Sequence, residues 1–289
     1  MYIKEKSPLC SSCKRRYATF RRRTSGERLC RLCLYNSVIK QVRKAIHYYK
    51  MIRKNSSILF LIMVNKPLLS IMSLSIYESA VKNFNINNSV LLCFNKYLNC
   101  GNIKEIIKSG HYEFIEFEPH FITNDFIEWL KYAEFIAIKI AKESEIEFIV
   151  VPLYRDELVI ISLLGMLSTS RTIFSEGLPI RNVGDIKITR PFYYVVSDDV
   201  LYLTLTSKFM SGIDLNEYKF EERYRFFKHI RNILGNSPEL MYSSDKSAEL
   251  LQSYLMGYSK RCKYCGSYNI DDICEYCKKF KEYIHDMYI

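Results

Sequence analysis

Eight of the chain's ten cysteines fall in four Cys-x-x-Cys pairs, and the pairs come two by two. Cys10-Ser-Ser-Cys13 and Cys30-Arg-Leu-Cys33 are separated by sixteen residues near the start. Cys262-Lys-Tyr-Cys265 and Cys274-Glu-Tyr-Cys277 are separated by eight near the end. Two such knuckles fold a short loop back on itself so that four thiolates meet at one tetrahedral ion. A structural Zn²⁺ is therefore expected on Cys10, Cys13, Cys30 and Cys33, and a second on Cys262, Cys265, Cys274 and Cys277. The competing reading is four disulfides in a secreted protein. Against it, no apolar h-region precedes Cys10, and 289 residues bury a core without covalent staples. Cys93 and Cys100 are left over. Cys93 sits in the apolar run Val90–Phe94 and reads as a buried core thiol.

Charge is as uneven as the cysteines. Residues 1–54 carry 16 Lys/Arg and 2 Glu, which exceeds the formal +11 of the whole chain. Arg15, Arg16, Arg21, Arg22, Arg23 and Arg28 crowd into the first cysteine loop, and Arg43 and Lys44 follow it. A charge run is most often just a solvated surface. Arginines clustered on a metal-rigidified knob instead favour a polyanion, because the planar guanidinium makes two parallel hydrogen bonds to phosphate.

Between the clusters the pattern alternates. Leu34, Val38, Val42, Ile46 and Tyr49 recur at helical spacing and predict a linker helix with a basic outer face. Short, nearly continuous apolar strands are predicted at 57–64, 89–94, 112–118 and 147–152, with helices over 70–84, 102–108, 124–142 and 156–167. Buried strands alternating with helices imply a parallel sheet covered on both faces, a doubly wound α/β fold. Beyond Thr169 the expectations are a strand over 186–196, helices over 200–209 and 221–234, a break at Asn236-Ser-Pro238, and a helix over 247–258. Ser57–Val64 is too short to span a bilayer. A soluble cytoplasmic protein is expected, in three parts: an N-terminal finger and linker helix (1–54), the α/β domain (55–257) and a C-terminal ribbon (258–289).

In such a sheet, ligands bind beyond the carboxyl ends of the strands. The loop after the first strand, Val64-Asn65-Lys66-Pro67-Leu68-Leu69-Ser70, has no glycine, and Pro67 lacks an N–H. It does not offer the successive N–H groups that cradle phosphate. In the loop after the fourth strand, Asp156 and Glu157 stand at a helix start, where acids ordinarily meet free N–H groups and the helix dipole. The five histidines are scattered, and no nucleophile–base set is evident.

Taken together, these motifs resemble the TtuA/Ncs-type tRNA 2-thiouridine synthetases, a family of PP-loop ATP pyrophosphatases. The resemblance rests on the first finger with its Ser25-Gly26-Glu27-Arg28-Leu29 tail, on Arg190-Pro191-Phe192, on the helix around 225–234 followed by Pro238, and on the closing ribbon with Gly266. It implies a PP-loop-like (adenine nucleotide alpha hydrolase-like) α/β domain flanked by two zinc fingers. Family members carry Ser-Gly-Gly-Lys-Asp-Ser after the first strand; here those places hold Asn65 to Ser70, and only Ser70 matches. Of the family's Gly-His-Asn-Leu-Asp-Asp motif, only Asp156 matches. Active members hold an iron–sulfur cluster on three core cysteines, and no cysteine stands at 119–124, where a pair is expected. The resemblance thus implies a degenerate paralogue that binds tRNA through its basic N-terminal region, beside an active thiolase subunit or a second copy, with no ATP and no iron–sulfur cluster. The alternatives are an active ATP-dependent tRNA sulfurtransferase with an unorthodox loop, or a zinc-finger regulator that binds nucleic acid.

Overall fold

The structure is a computed structural model that describes residues 8–107, 112–207, 219–220, 228–234 and 237–282. Its centre is a six-stranded sheet: β3 (Ser57–Leu61), β4 (Asn88–Phe94), β5 (Glu113–Phe117), β6 (Phe148–Val150), β7 (Ile180–Val183) and β8 (Ile186–Thr189). The order across it is β5-β4-β3-β6-β8-β7, parallel throughout except for β7 against β8. β3, β4 and β6 are almost wholly buried, as strands covered on both faces must be.

Helix α1 (Arg31–Tyr49) packs with α2 (Pro67–Val81) and α7 (Ser197–Leu205). Pro67 occupies the first turn of α2, where its missing N–H is harmless. The short α3 (Cys100–Ile106) follows β4. Helix α4 (Phe126–Glu143) lies across β3, β6 and β8, and Asp125 caps it by accepting from Ile127 N and Glu128 N. Helix α5 (Arg155–Leu167) packs on α6 (Arg171–Glu176) and on α8 (Pro238–Tyr258). Gly165 permits the first of these contacts, since a Cβ there would lie 2.4 Å from Phe174 N.

Each terminus adds a small antiparallel pair, β1–β2 (Phe20–Arg21 with Arg28–Leu29) and β9–β10 (Lys260–Arg261 with Tyr268–Asn269), and the chain's last described helix is α9 (Glu275–Glu282). Both clusters' cysteines belong to the same hydrophobic core as the sheet. Among the described residues no helix is long and apolar enough to cross a membrane.

Three expectations change. Cys93 is no free thiol but is disulfide-bonded to Cys100, which joins the end of β4 to the start of α3. The single strand over 186–196 is a hairpin, β7–β8, that ends at Thr189. Arg190 N still reaches across to Pro179 O at 3.0 Å, but Pro179 and Pro191 have no N–H to donate, so the ladder goes no further. The helices expected over 102–108, 200–209 and 221–234, and the break at Asn236, lie partly outside the described residues. Residues 228–234 are helical, and α8 begins nine residues before the expected Ser247.

Candidate metal centres and the strand-end crevice

The first cluster is built at a helix start. Cys30 is the N-cap residue of α1 and Cys33 lies in its first turn, while Cys10 and Cys13 come from the preceding loop. The second is assembled from the β9–β10 turn, which holds Cys262 and Cys265, and from the start of α9, where Cys274 precedes the helix and Cys277 lies in its first turn. In each, the four Sγ atoms lie within 4.8 Å of one another, with Cys13–Cys30 at 4.0 Å and Cys265–Cys274 at 3.7 Å. Four sulfurs bonded at about 2.3 Å to one tetrahedral ion require separations of this kind. Both sets of residues therefore fit a metal centre.

The environments differ. In the N-terminal cluster Cys13 and Cys33 are partly exposed; in the C-terminal one all four cysteines are buried. Burial raises the Cys10 thiol, but the backbone N–H groups of Cys13, Cys30 and Ser12 outweigh it and bring it to about 6. Burial pushes Cys33 up to about 12. Gly266 (φ +69°) turns the chain after the Cys262–Cys265 knuckle, and a Cβ there would meet Asn182 O at 2.1 Å.

The arginine-rich loop divides into two groups. Arg15, Arg16, Arg21 and Arg28 are exposed. Arg21 and Arg28 face each other directly across β1–β2. Arg23 is also exposed, 3.6 Å from Asp198. Arg22, expected among the nucleic-acid contacts, is 7% exposed and turned inward. Its guanidinium donates to Asp199 Oδ2 (2.9 Å), Glu27 Oε2 (2.7 Å) and Ser37 Oγ (3.2 Å). It fastens the finger to α7 and has no face left for a phosphate. Arg43 donates to Ser79 O and Ala80 O at the end of α2, and Lys44 lies 4.9 Å over the Tyr194 ring.

At the carboxyl ends of β3 and β6 the sheet reverses its winding, and a crevice opens as the topology requires. A cavity of about 330 Å³ lies there, walled by Asn65, Lys66, Phe126, Glu157, Lys228 and Arg231. Its floor is closed by side chains. Lys66 Nζ pairs with Glu157 and sits 4.3 Å over the Tyr154 ring, and Tyr154 Oη bonds to Ser73 Oγ at 2.7 Å. Burial lowers the Lys66 ammonium, and the Glu157 carboxylate opposes that shift.

The remnant residues have structural work. Ser70 Oγ accepts from Met63 N and donates to Lys66 O, both at 3.1 Å. Asp156 accepts from Ser197 N (2.9 Å) and Ser197 Oγ (2.7 Å) and pairs with Arg231 at 3.1 Å. Glu157 accepts from Tyr154 N at 3.1 Å, and Arg231 reaches it at 3.2 Å. The two acids thus do more than complement the start of α5: they tie it to Lys66 on one side and to Ser197 and Arg231 on the other.

No family model matches the chain, and no curated protein matches it by sequence. Among solved structures, the U34-tRNA thiolase NcsA from Methanococcus maripaludis with its [4Fe-4S] cluster aligns over 95% of this chain and 96% of its own. The TM-score is 0.69 at 16% identity. The two chains share one fold. This agrees with the fold that the family resemblance implies, from the first finger to the last ribbon. It also corrects one expectation. The reading that excluded an iron–sulfur cluster is overturned, because the neighbour of this fold carries one and four-thiolate groups such as these ligate iron–sulfur centres as well as zinc.

Proposed function

We propose that this protein binds tRNA and serves tRNA 2-thiouridine formation, as the partner of an active thiolase and not as the adenylating subunit. The reading is supported first by a fold shared, end to end, with a U34-tRNA thiolase. The observation that carries the tRNA contact is the Arg21–Arg28 pair. Two exposed arginines placed directly opposite on a two-stranded ribbon repel each other, an arrangement that an anion lying between them would relieve. Arg15 and Arg16 extend that positive surface. In favour of a non-adenylating role, the loop before α2 has no glycine, and its lysine is tied down by Glu157.

Phosphate contacts make affinity fall with salt, by roughly 0.7–0.9 in log–log slope for each phosphate neutralised. Arg21→Ala and Arg28→Ala should each flatten the slope for tRNA by about that amount, for all sequences alike. Unchanged slopes in both would remove the finger from the RNA contact. Deleting the gene should lower 2-thiouridine in total tRNA by mass spectrometry; unchanged 2-thiouridine would end the pathway assignment. The second reading, an active ATP-dependent sulfurtransferase, draws on the cavity of about 330 Å³ with Lys228 and Arg231 at its wall. Calorimetry showing a micromolar dissociation constant for ATP would favour it.

A further inference from the structure

Beneath the C-terminal ribbon lies a set of charges to which neither the fold nor the proposed function gives a role. Lys131 and Glu134 from α4, Glu176 from α6, Arg181 from β7 and Arg190 after β8 are all buried. Arg181 pairs with both Glu134 and Glu176, and Arg190 reaches each glutamate at 2.8 Å. Lys131 Nζ donates to Glu176 (2.7 Å), to Ser267 Oγ (2.6 Å) and to Cys265 Sγ (3.2 Å). Three cations meet only two carboxylates, so one positive charge is left over. The group that receives it is the Cys265 sulfur. A four-thiolate site holding a divalent ion carries about two negative charges, and burying such charge without compensation costs several kcal/mol. The exposed side of the N-terminal centre has water for that task. Among the described residues no charged side chain hydrogen-bonds to its sulfurs.

We propose that Lys131 is the positioning residue of the C-terminal metal centre. Its ammonium compensates the buried thiolate charge and holds Cys265 in place for the ion, so that this centre and the buried Glu134–Glu176–Arg181–Arg190 set form one electrostatic unit. Ser267, which also donates to Glu176 Oε1 at 3.1 Å and lies 3.3 Å from Cys265 Sγ, completes the link. The inference rests on this contact alone and stands apart from the tRNA reading.

The test uses the full chain loaded with Co²⁺, whose sulfur-to-cobalt charge-transfer band reports the thiolates, and stepwise chelator competition to resolve the two bound equivalents. Lys131→Met should weaken one equivalent about 10–100-fold, the range for loss of a residue that orients a metal ligand, and shift its band. The other equivalent should not change. Lys131→Arg, which keeps the charge, should recover part of the loss. Ser267→Ala leaves the ammonium in place and should weaken the same equivalent by less, so it carries the test if Lys131→Met does not fold. Two equivalents of wild-type affinity and wild-type spectrum in Lys131→Met, or in a folded Ser267→Ala, would overturn the assignment. So would a loss of thermal stability with metal affinity unchanged.

Discussion

Replacing Arg22 by Ala should unfold contacts, not weaken RNA binding directly. The side chain is 7% exposed and its main partner, Asp199, is 2% exposed. Burial lowers the guanidinium's pKa, and Asp199 and Glu27 more than offset it. Removing the guanidinium leaves the Asp199 carboxylate buried without its cation, which in buried ion pairs costs roughly 3–5 kcal/mol. For a chain of this size that corresponds to a fall of about 6–10 °C in Tm. The assay is thermal and denaturant unfolding of Arg22→Ala, Asp199→Ala and the double variant. The double variant should be more stable than the sum of the two single losses predicts, because neither charge is then stranded. Arg21→Ala, one position away on the exposed face, should leave Tm within about 1 °C, since a surface change of this kind is worth at most ~0.5 kcal/mol. If Arg22→Ala kept the wild-type Tm and instead flattened the salt dependence of tRNA binding, the burial argument would be wrong.

Gly165→Ala should destabilise by about 1–3 kcal/mol or more, because the new methyl group meets backbone at 2.4 Å where α5 crosses α6 and no rotamer can move it away; denaturant midpoints check this. Metal should leave as pH falls, since every ligand must be a thiolate. The backbone N–H groups around Cys10 hold its thiol below the ordinary value and so favour the thiolate near neutral pH, a contribution that is lost as acid protonates it. Elemental analysis of protein dialysed across pH 7 to 4 reads it, and retention of both metals at pH 4 would refute it. With metal removed and the chain denatured without reductant, alkylation should label eight cysteines and leave Cys93 and Cys100 unlabelled. Ten labelled cysteines would exclude the disulfide.

The strands and helices from Arg31 to Leu167 were legible because each depends on local pattern: continuous apolar runs for β3 and β4, helical spacing along α1 and α4. The two cysteine clusters were legible because four thiols at knuckle spacing have few other uses. The hairpin β7–β8 was harder to see, since Gly184-Asp185 is a two-residue turn embedded in a charged stretch that alternates only weakly. The role of Arg22 was hidden altogether. Its partner Asp199 lies 177 residues away, and nothing local separates it from Arg21 and Arg23. A signal for the buried charge set did exist. Lys131 and Glu134 interrupt the apolar face of α4, and a lysine and a glutamate three residues apart on a core-facing stripe ask for partners.

The first metal centre does not sit on a flexible arm. Cys30 and Cys33 are the opening residues of α1, and 19 residues of helix extend about 28 Å from them. The far end of that rod is gripped: Tyr49 packs edge-on against Tyr193, and Arg43 is bonded to the carbonyls of Ser79 and Ala80. Tilting the finger by about 10° around its metal would carry Tyr49 through about 5 Å and break all of these contacts. The finger therefore behaves as the rigid head of a lever whose handle is built into the sheet's helical cover. Whatever the exposed arginines grasp is held at a fixed bearing to the crevice above β3 and β6, and its orientation is set by the core rather than chosen at the surface.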